Sequence, residues 1–411
     1  MKGILVILDG IGDLPHKLLE GKTPLEAAKT PNLDFFAARG KLGFMYPVKP
    51  DFAPESDEAI VSIFGNNVSS STRGQLEAKG VGIKLTRGDL TLRVNFATTD
   101  KKRGIIDRRA GRTLTSEEAS ILSKAINKIK LPCKFVFEPT IQHRAVLVLK
   151  GGFSDNILCN DFTYSQGKVK NATNVISFKP LDDDENTNHT VNVLNEFLEK
   201  VQIVLNEHPI NKERIKKGLL PANYLLFRGP GIESPKLKLY KKWVSPSYMP
   251  IEIGFSLASG MSVFSFEYPK LKNVDAYANL HEGLKKACKF SMKILKKTHK
   301  KFDYAYVHLK ETDLPGHDNK PLEKKEMIEY IDKTFFKFLK KFVPPKGIEI
   351  VVTADHSTPC KLKDHSAEPV PVLFYDNSPL REKRFFEKEC RKGKLGRILG
   401  DELLEKVGFV K

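Results

Sequence analysis

The chain has 411 residues, of which 40% are hydrophobic and 29% charged, so it has the balance of a globular protein and the length of two domains. No stretch of about 18 apolar residues occurs, which excludes a membrane-spanning helix, and five scattered cysteines without a C-x-x-C pair argue against a disulfide framework or a structural zinc site. The 68 Lys and Arg residues exceed the 50 Asp and Glu residues by 18 charges, a surplus that we interpret as a solvated basic surface because no nucleic-acid-binding motif accompanies it.

The predicted elements begin with a buried strand over residues 3–8 that ends at Asp9. Its apolar run is shorter than the about 7–15 residues of a signal-peptide core, so we expect a cytoplasmic protein. A short helix is predicted from Pro31, with Thr30 as its cap, and a second one over residues 56–64, which Gly65 ends.

The middle of the chain has a different pattern. Four strand-like segments, at residues 91–98, 134–138, 144–150 and 174–178, surround one helix that begins with the capping box at residues 115–118. This pattern predicts a smaller α+β domain over residues 86–180. The polar stretch over residues 181–189 marks its predicted exit.

The C-terminal half alternates predicted helices, over residues 275–299 and 326–342, with predicted strands, over residues 303–309, 348–353 and 370–374. Near-continuous apolar strands that alternate with helices are typical of a mostly parallel sheet with helices on both faces. We therefore predict one α/β domain formed by residues 1–85 and 181–411, into which the smaller α+β domain is inserted.

Carboxylate and imidazole side chains follow three of the predicted strands: Asp9, then Asp313 and His317, then Asp355, His356 and His365. The carboxyl ends of parallel strands meet at one edge of a sheet, where active sites form. This donor set suits Zn, Mn or Fe better than Ca. Two metals about 3.5–4 Å apart would need roughly this many ligands, and such pairs favour phosphoryl displacement.

Ser56 is the candidate nucleophile, because its hydroxyl lies at the predicted start of a helix, where the partial charge is positive. Local sequence alone favours a simple N-cap role for this serine. The metal-ligand loops shift the balance towards catalysis.

Nine segments of the chain, in order, carry a family resemblance: residues 4–13, 21–28, 56–57, 93–98, 107–112, 143–151, 223–229, 312–319 and 354–360. They resemble the archaeal-type, cofactor-independent phosphoglycerate mutases of the alkaline phosphatase superfamily. The resemblance is collinear over nearly the whole chain. It implies an alkaline-phosphatase-like α/β domain with an inserted domain, which agrees with the pattern of predicted elements.

The resemblance also implies a two-metal site and a reaction. One divalent ion (Mn, Zn, Co or Fe) would be held by Asp313, His317 and His365, and the other by Asp9, Ser56, Asp355 and His356. Ser56 would take the phosphoryl group of 3-phosphoglycerate and return it to the 2-hydroxyl of the retained glycerate. No 2,3-bisphosphoglycerate would be needed.

Retention of glycerate calls for bidentate contacts to its carboxylate. The residues expected to provide this clamp are Arg108, Arg109, Arg112, His143, Arg144 and Arg228. By similarity Asp107 is expected to accept a proton from the glycerate hydroxyls, and Lys310 to neutralise the transferring phosphate. Without the resemblance, Arg108 and Arg109 fit a basic surface turn equally well.

The nucleophile segment departs from the family pattern. Glu55, Glu58 and Ile60 stand where the family has Gly, Thr and His, and the turn at Gly65 is altered. Because of these departures, substrate preference and catalytic rate stay open. Assembly into a homo-oligomer is a separate possibility that also stays open. Two alternatives also stay open: a metal-dependent phosphatase or other phosphotransferase of the same superfamily, and a basic RNA-binding protein on a degenerate enzyme fold.

Overall fold

The computed structural model describes residues 1–68, 73–100, 102, 104–161, 164–165, 168–169, 174–271, 275–379 and 383–410. Its strands are β1 Gly3–Leu8, β2 Gly40–Tyr46, β3 Leu90–Thr99, β4 Ile105–Asp107, β5 Phe135–Pro139, β6 Arg144–Leu149, β7 Ile157–Leu158, β8 Tyr164–Ser165, β9 Lys168–Val169, β10 Lys179–Pro180, β11 Tyr224–Gly231, β12 Trp243–Pro246, β13 Ser262–Phe264, β14 Tyr304–Leu309, β15 Glu349–Thr353, β16 Val370–Tyr375 and β17 Gly396–Leu399.

Its α-helices are α1 Pro24–Ala27, α2 Pro31–Ala37, α3 Ser56–Ile63, α4 Arg73–Gly80, α5 Ser116–Ile126, α6 Glu185–Glu207, α7 Pro209–Lys216, α8 Pro250–Ala258, α9 Ala276–Thr298, α10 Asp313–His317, α11 Pro321–Ile331, α12 Lys337–Phe342, α13 Glu387–Arg391 and α14 Leu403–Lys406. A π-helical turn, Asp332–Phe336, joins α11 to α12, where the sequence pattern predicted one helix over residues 326–342. Short 3-10 turns lie at Lys17–Leu19, Ala110–Arg112, Pro344–Lys346 and Gly400–Glu402.

The larger sheet has eight strands in the order β13-β12-β14-β1-β15-β16-β2-β17. Its centre is parallel, because β1 pairs in parallel with both β14 and β15, whereas β16 runs antiparallel to β15 and β2. Every residue of β1 is buried, as expected when helices cover both faces of a sheet. The predicted α/β fold with a mostly parallel sheet is confirmed.

The smaller sheet has five antiparallel strands, in the order β11-β3-β6-β5 with β4 paired to β3. One hydrophobic core lies against it and contains side chains from α5 and from the long helix α6, among them Leu122, Leu194 and Phe197. β11 and α6 thus belong to the smaller domain, although both come after residue 180.

The expected domain exit at residue 181 needs correction for this reason. The polar stretch after residue 180 is a connection that ends at Asp184, whose side chain caps α6 by accepting from the backbone N–H of Asn186. The chain continues into the same core and crosses back after β11. We propose that residues 90–231 form the smaller domain, which replaces the expected 86–180.

The strand expected over residues 174–178 is not formed either. Asn174 makes an isolated bridge to Gly104, and the strand pairing begins only at Lys179. The reason lies at Phe178, whose backbone N–H and carbonyl bind the side-chain amide of Asn195 in α6 at 3.0 and 3.2 Å. A side-chain amide here takes the hydrogen bonds that a neighbouring strand would otherwise make.

No helix in the described part of the chain combines the length and the apolar character that crossing a bilayer requires.

Candidate active site

The site lies where three adjacent parallel strands of the larger sheet end. β1 runs between β14 and β15, and the residues that follow these strands are Asp9, Lys310 and Asp355. Parallel strands deliver their carboxyl-terminal side chains to one edge of a sheet. Residues separated by 300 positions or more therefore meet there: the Ser56 hydroxyl lies 3.2 Å from Nε2 of His356.

One cluster of possible metal ligands consists of Asp313, His317 and His365. α10 places Asp313 and His317 one turn apart, with 3.3 Å between Oδ2 and Nε2, and Nε2 of His365 lies 3.7 Å from the same carboxylate. Both histidines donate through Nδ1 to backbone carbonyls, those of Lys363 and Pro54, at 3.1 and 2.8 Å. With Nδ1 bound to a carbonyl, Nε2 of each histidine faces Asp313, the arrangement found in histidine metal ligands.

A second cluster surrounds Asp9. Nε2 of His356 lies 3.2 Å from its Oδ1 and 3.4 Å from Oδ2 of Asp355. His356 Nδ1 donates at 3.0 Å to the Thr358 hydroxyl, which itself donates at 2.6 Å to Asp313, so both clusters share one hydrogen-bond chain. Burial lowers the pKa of His356 to about 3, which keeps its imidazole neutral as metal binding requires.

Lys310 is the cation that now lies among these carboxylates. Its ammonium contacts Asp9, lies 3.0 Å from Glu252 and 3.6 Å from Asp355, and donates to the Ser56 hydroxyl at 3.2 Å. Burial opposes its charge, but Asp9, Glu252 and Asp355 outweigh burial and raise the pKa of Lys310, so it stays protonated. A protonated amine beside Ser56 suits stabilisation of a phosphoryl group.

The donor atoms here fit divalent cations. Asp9 Oδ1 and Asp355 Oδ2 are buried and lack a hydrogen-bond partner among the described residues, and burial together with Asp355 raises the pKa of Asp9. Buried carboxylate oxygens are costly unless they are paired. A cation would relieve this cost, and oxygen and imidazole donors suit Mn, Zn, Co or Fe.

Across from Ser56 the smaller sheet supplies a row of arginines. Arg93 in β3 lies directly opposite Arg228 in β11, and Asn95, two residues further along β3, lies opposite Arg144 in β6. Like charges on opposite strands repel each other. Burial lowers the pKa of Arg93, and repulsion from the charges of Arg228 and Arg73 lowers it further. The arginine row is therefore suited to hold an anion.

The family model described as 2,3-bisphosphoglycerate-independent phosphoglycerate mutase matches residues 37–211. A mutase of this description from Thermococcus kodakarensis is 38% identical over 98% of this chain and 95% of its own length, and one from Pyrococcus furiosus is 38% identical with the same coverage. The chain belongs to this family.

Solved structures agree. A protein from Pyrococcus horikoshii superposes with a TM-score of 0.75 at 32% identity, covering 100% of this chain and 98% of its own. A cofactor-independent phosphoglycerate mutase from Thermoplasma acidophilum gives a TM-score of 0.58 at 29% identity, covering 100% of this chain and 99% of its own. The resemblance seen in the sequence is confirmed.

The mutase chain brings most of the predicted clamp to one cavity. Ser56 and Lys310 line it together with Arg108, Arg109, His143, Arg144 and Arg228. Arg108 also forms an ion pair with Asp161, and burial followed by Arg144 lowers the pKa of His143, so this histidine is neutral. All seven predicted metal ligands also gather at this edge of the larger sheet, as the distances above show.

Two predicted residues lie elsewhere. Arg112 is not among the residues that line the cavity; it binds Asp318, beside α10 of the larger domain, at 2.6 Å. Asp107 accepts hydrogen bonds from the backbone N–H groups of Arg109 and Gly111 at 2.7 and 2.8 Å, so it holds the loop that carries Arg108 and Arg109. In this conformation Asp107 shapes the loop that carries Arg108 and Arg109, and it does not line the cavity.

Several lining residues were missed in the sequence: Glu55, Arg73, Glu77, Arg93, Asn95 and Glu252. His308 was missed as well; its Nε2 lies 3.4 Å from Asp355, and it forms a third possible ligand group with Asp9 and Asp355. The sequence did contain a signal that His308 belongs to the site. It precedes Lys310 by two residues, and side chains two apart in a strand share a face.

Glu55 joins the arginines to the nucleophile. It is the N-cap residue of α3, and its carboxylate lies 2.5 Å from Arg73 and 3.1 Å from Arg228. Burial opposes its ionisation, but Arg228 and Arg73 outweigh burial and hold the pKa of Glu55 well below its ordinary value. A second carboxylate, that of Glu77, lies 3.4 Å from both Arg73 and Arg93.

Proposed function

We propose that this chain interconverts 3-phosphoglycerate and 2-phosphoglycerate without 2,3-bisphosphoglycerate, with Ser56 as the group that carries the phosphoryl group between the two positions. The observation that supports this most directly is the shared cavity. The Ser56 hydroxyl, the Lys310 ammonium and the arginine row line one space between the two domains. A phosphatase needs only the first two, whereas a mutase must also retain the dephosphorylated product.

Two divalent ions fit the ligand clusters, one at Asp313, His317 and His365 and the other at Asp9, Ser56, Asp355 and His356. When bound, such ions lower the pKa of a coordinated hydroxyl and neutralise phosphoryl charge. His308 is a further candidate for the second group because of its distance to Asp355.

The chain's own residues carry the following steps. Ser56 Oγ forms a bond to phosphorus while the bond from phosphorus to the glycerate oxygen breaks, and the proton of Ser56 balances the charge on the departing oxygen. Lys310, 3.2 Å from Oγ, stabilises the charge on the transferring group. The same steps in reverse, with the 2-hydroxyl as acceptor, give 2-phosphoglycerate and restore Ser56.

The clamp decides between isomerisation and hydrolysis. Arg93 is only 3% exposed, and its Nη1, like Nε of Arg144, has no hydrogen-bond partner among the described residues. We assign these groups to the carboxylate of glycerate. His143, neutral and buried in the same cavity, has an equally unpartnered Nδ1 within the described part of the chain and suits a glycerate hydroxyl.

We further infer a cytoplasmic location, where this substrate occurs.

The test is a metal-supplemented assay that couples 2-phosphoglycerate formation to enolase, with and without added 2,3-bisphosphoglycerate. Wild-type turnover should not depend on the added cofactor, and Ser56→Ala should abolish turnover while the fold stays intact. Ser62→Ala, on the same helix but outside this cavity, is the matched control and should stay active. Mass spectrometry of quenched enzyme should find a phosphate on Ser56.

Two results would contradict the proposal. Turnover by Ser56→Ala at the wild-type rate would exclude a phosphoserine mechanism. Release of inorganic phosphate from 3-phosphoglycerate by the wild type, without 2-phosphoglycerate, would instead identify a phosphatase.

A further inference from the structure

One carboxylate of this chain already occupies part of the arginine row. Glu55 immediately precedes Ser56 and lines the same cavity, and its two oxygens pair with Arg73 and Arg228 at 2.5 and 3.1 Å. Its side chain is only 19% exposed, so water does little to weaken these pairs. The two guanidinium groups come from different elements, α4 and β11, and both pair with this carboxylate.

Glu55 lies close to three guanidinium groups, those of Arg73, Arg93 and Arg228. Arg228 lies opposite Arg93 in the sheet, and Arg73 comes from α4, which packs against β3 and β11. Three guanidinium groups at this spacing repel one another. Two other carboxylates offset part of this repulsion: Glu77 pairs with Arg73 and Arg93, and Asp57 pairs with Arg73 at 2.8 Å. Among the described residues that line the cavity, Glu55 is the carboxylate that pairs with Arg228.

We propose that Glu55 is a built-in competitor of the substrate: it occupies the guanidinium groups of Arg73 and Arg228 while the cavity is empty and must yield them, at least in part, when a carboxylate or phosphate group enters. The free enzyme gains stability from this contact, and the affinity for anionic substrates falls by a corresponding factor. The kinetic part of this inference rests on the proposed mutase function, whereas the binding part does not.

A purely structural role for Glu55 predicts something different. As the N-cap residue it could serve only to begin α3, and its loss would then lower stability without any change in anion binding. The helix start, however, has a second support, since the Glu58 carboxylate accepts from the Glu55 backbone N–H at 2.8 Å. That bond uses the backbone N–H of residue 55, which Gln or Gly at this position retains.

The test uses the full chain with Glu55→Gln, and with Glu55→Gly as a second variant because Gly is tolerated at N-cap positions. Glu58→Gln is the matched control: its amide oxygen can keep the bond to the backbone of residue 55, and it does not line the cavity. Melting temperature is measured without and with inorganic phosphate, and KM and kcat are measured with 3-phosphoglycerate.

Both Glu55 variants should melt lower than the wild type without phosphate and should gain more from added phosphate. Their KM should fall about threefold to tenfold, the effect of removing one competing charge, with a smaller change in kcat. Glu58→Gln should match the wild type in both the phosphate response and KM.

An unchanged phosphate response together with an unchanged or higher KM in both Glu55 variants would overturn the inference, and Glu55 would then be a structural cap or a positioning residue for the arginines. If the chain is not a mutase, the same measurements give a different combination of results. The wild type would then not isomerise 3-phosphoglycerate at all, while the larger phosphate response of the Glu55 variants would persist.

Discussion

Replacement of Arg93 by methionine should separate activity from stability in this protein. Arg93 is buried to 97% in the smaller sheet, opposite a second arginine, and two of its nitrogens have no hydrogen-bond partner in the described part of the chain. A buried charge with incomplete pairing costs several kcal/mol of desolvation. Within the described part of the chain Arg93 forms an ion pair with Glu77 at 3.4 Å, and Glu77 keeps Arg73 as a partner when Arg93 is lost.

Arg93→Met should lower catalytic efficiency but should not lower stability. One charge-assisted hydrogen bond from Arg93 Nη1 to a substrate carboxylate is worth about 1.5–3 kcal/mol, so Arg93→Met should lower kcat/KM by about tenfold to a hundredfold. Removal of this incompletely paired charge should leave the free energy of unfolding unchanged or raise it by about 1 kcal/mol, since a methionine of similar length fills the space.

Arg214 provides the comparison, because it is equally buried in the same domain but fully paired. Its guanidinium donates to Glu118, Thr113 and the Leu220 carbonyl at 2.8, 2.8 and 3.0 Å. Arg214→Met should cost about 3–5 kcal/mol of stability and spare kcat/KM at low temperature. Enolase-coupled kinetics and urea unfolding of both variants measure these quantities. Loss of stability with intact kcat/KM in Arg93→Met would refute the assignment of this arginine to the substrate.

Two further predictions follow from other contacts. His317→Ala and exhaustive chelation should each remove metal and most of the activity, because His317 belongs to the first ligand cluster, and added Mn should restore only the chelated wild type; full activity of metal-free protein would exclude the metal assignment. Burial raises the pKa of Glu387 from 4.5 to about 7, so its stabilising contribution is complete below about pH 4.5 and is lost as the pH rises through 7. Thermal unfolding between about pH 5 and 8 should therefore show a loss of up to about 1.4 kcal/mol per pH unit in the wild type but not in Glu387→Gln, and parallel curves would contradict this.

The larger domain could be predicted from the sequence because its central strands are apolar throughout. The continuous apolar run of β1, which is buried along its whole length, predicts both a strand and a strand covered on two faces. The end of the smaller domain was harder to find. The polar residues before α6 look like a linker, and only the packing of Leu194 and Phe197 into the second core shows that the chain stays there.

The aspartates and histidines that we propose as metal ligands were visible for a related reason, since they come after recognisable strands. The arginines inside the smaller sheet gave no such signal. An arginine in a strand normally lies at the surface, and Arg93 and Arg228 become notable only when the register places them opposite each other. That register depends on pairing between segments more than 130 residues apart, which local sequence does not encode.

The departures from the family pattern in the nucleophile segment show how unequal neighbouring changes can be. Ile60 is fully buried in the main hydrophobic core, so a change there concerns packing. Glu58 bonds to the helix start and does not line the cavity. Of these three residues, Glu55 is the one that pairs with the arginines that face Ser56. Side chains within one turn of helix point in different directions. The effect of a substitution beside a nucleophile therefore depends on the direction in which the new side chain points. In this chain, the change that we expect to alter substrate affinity is the one at residue 55.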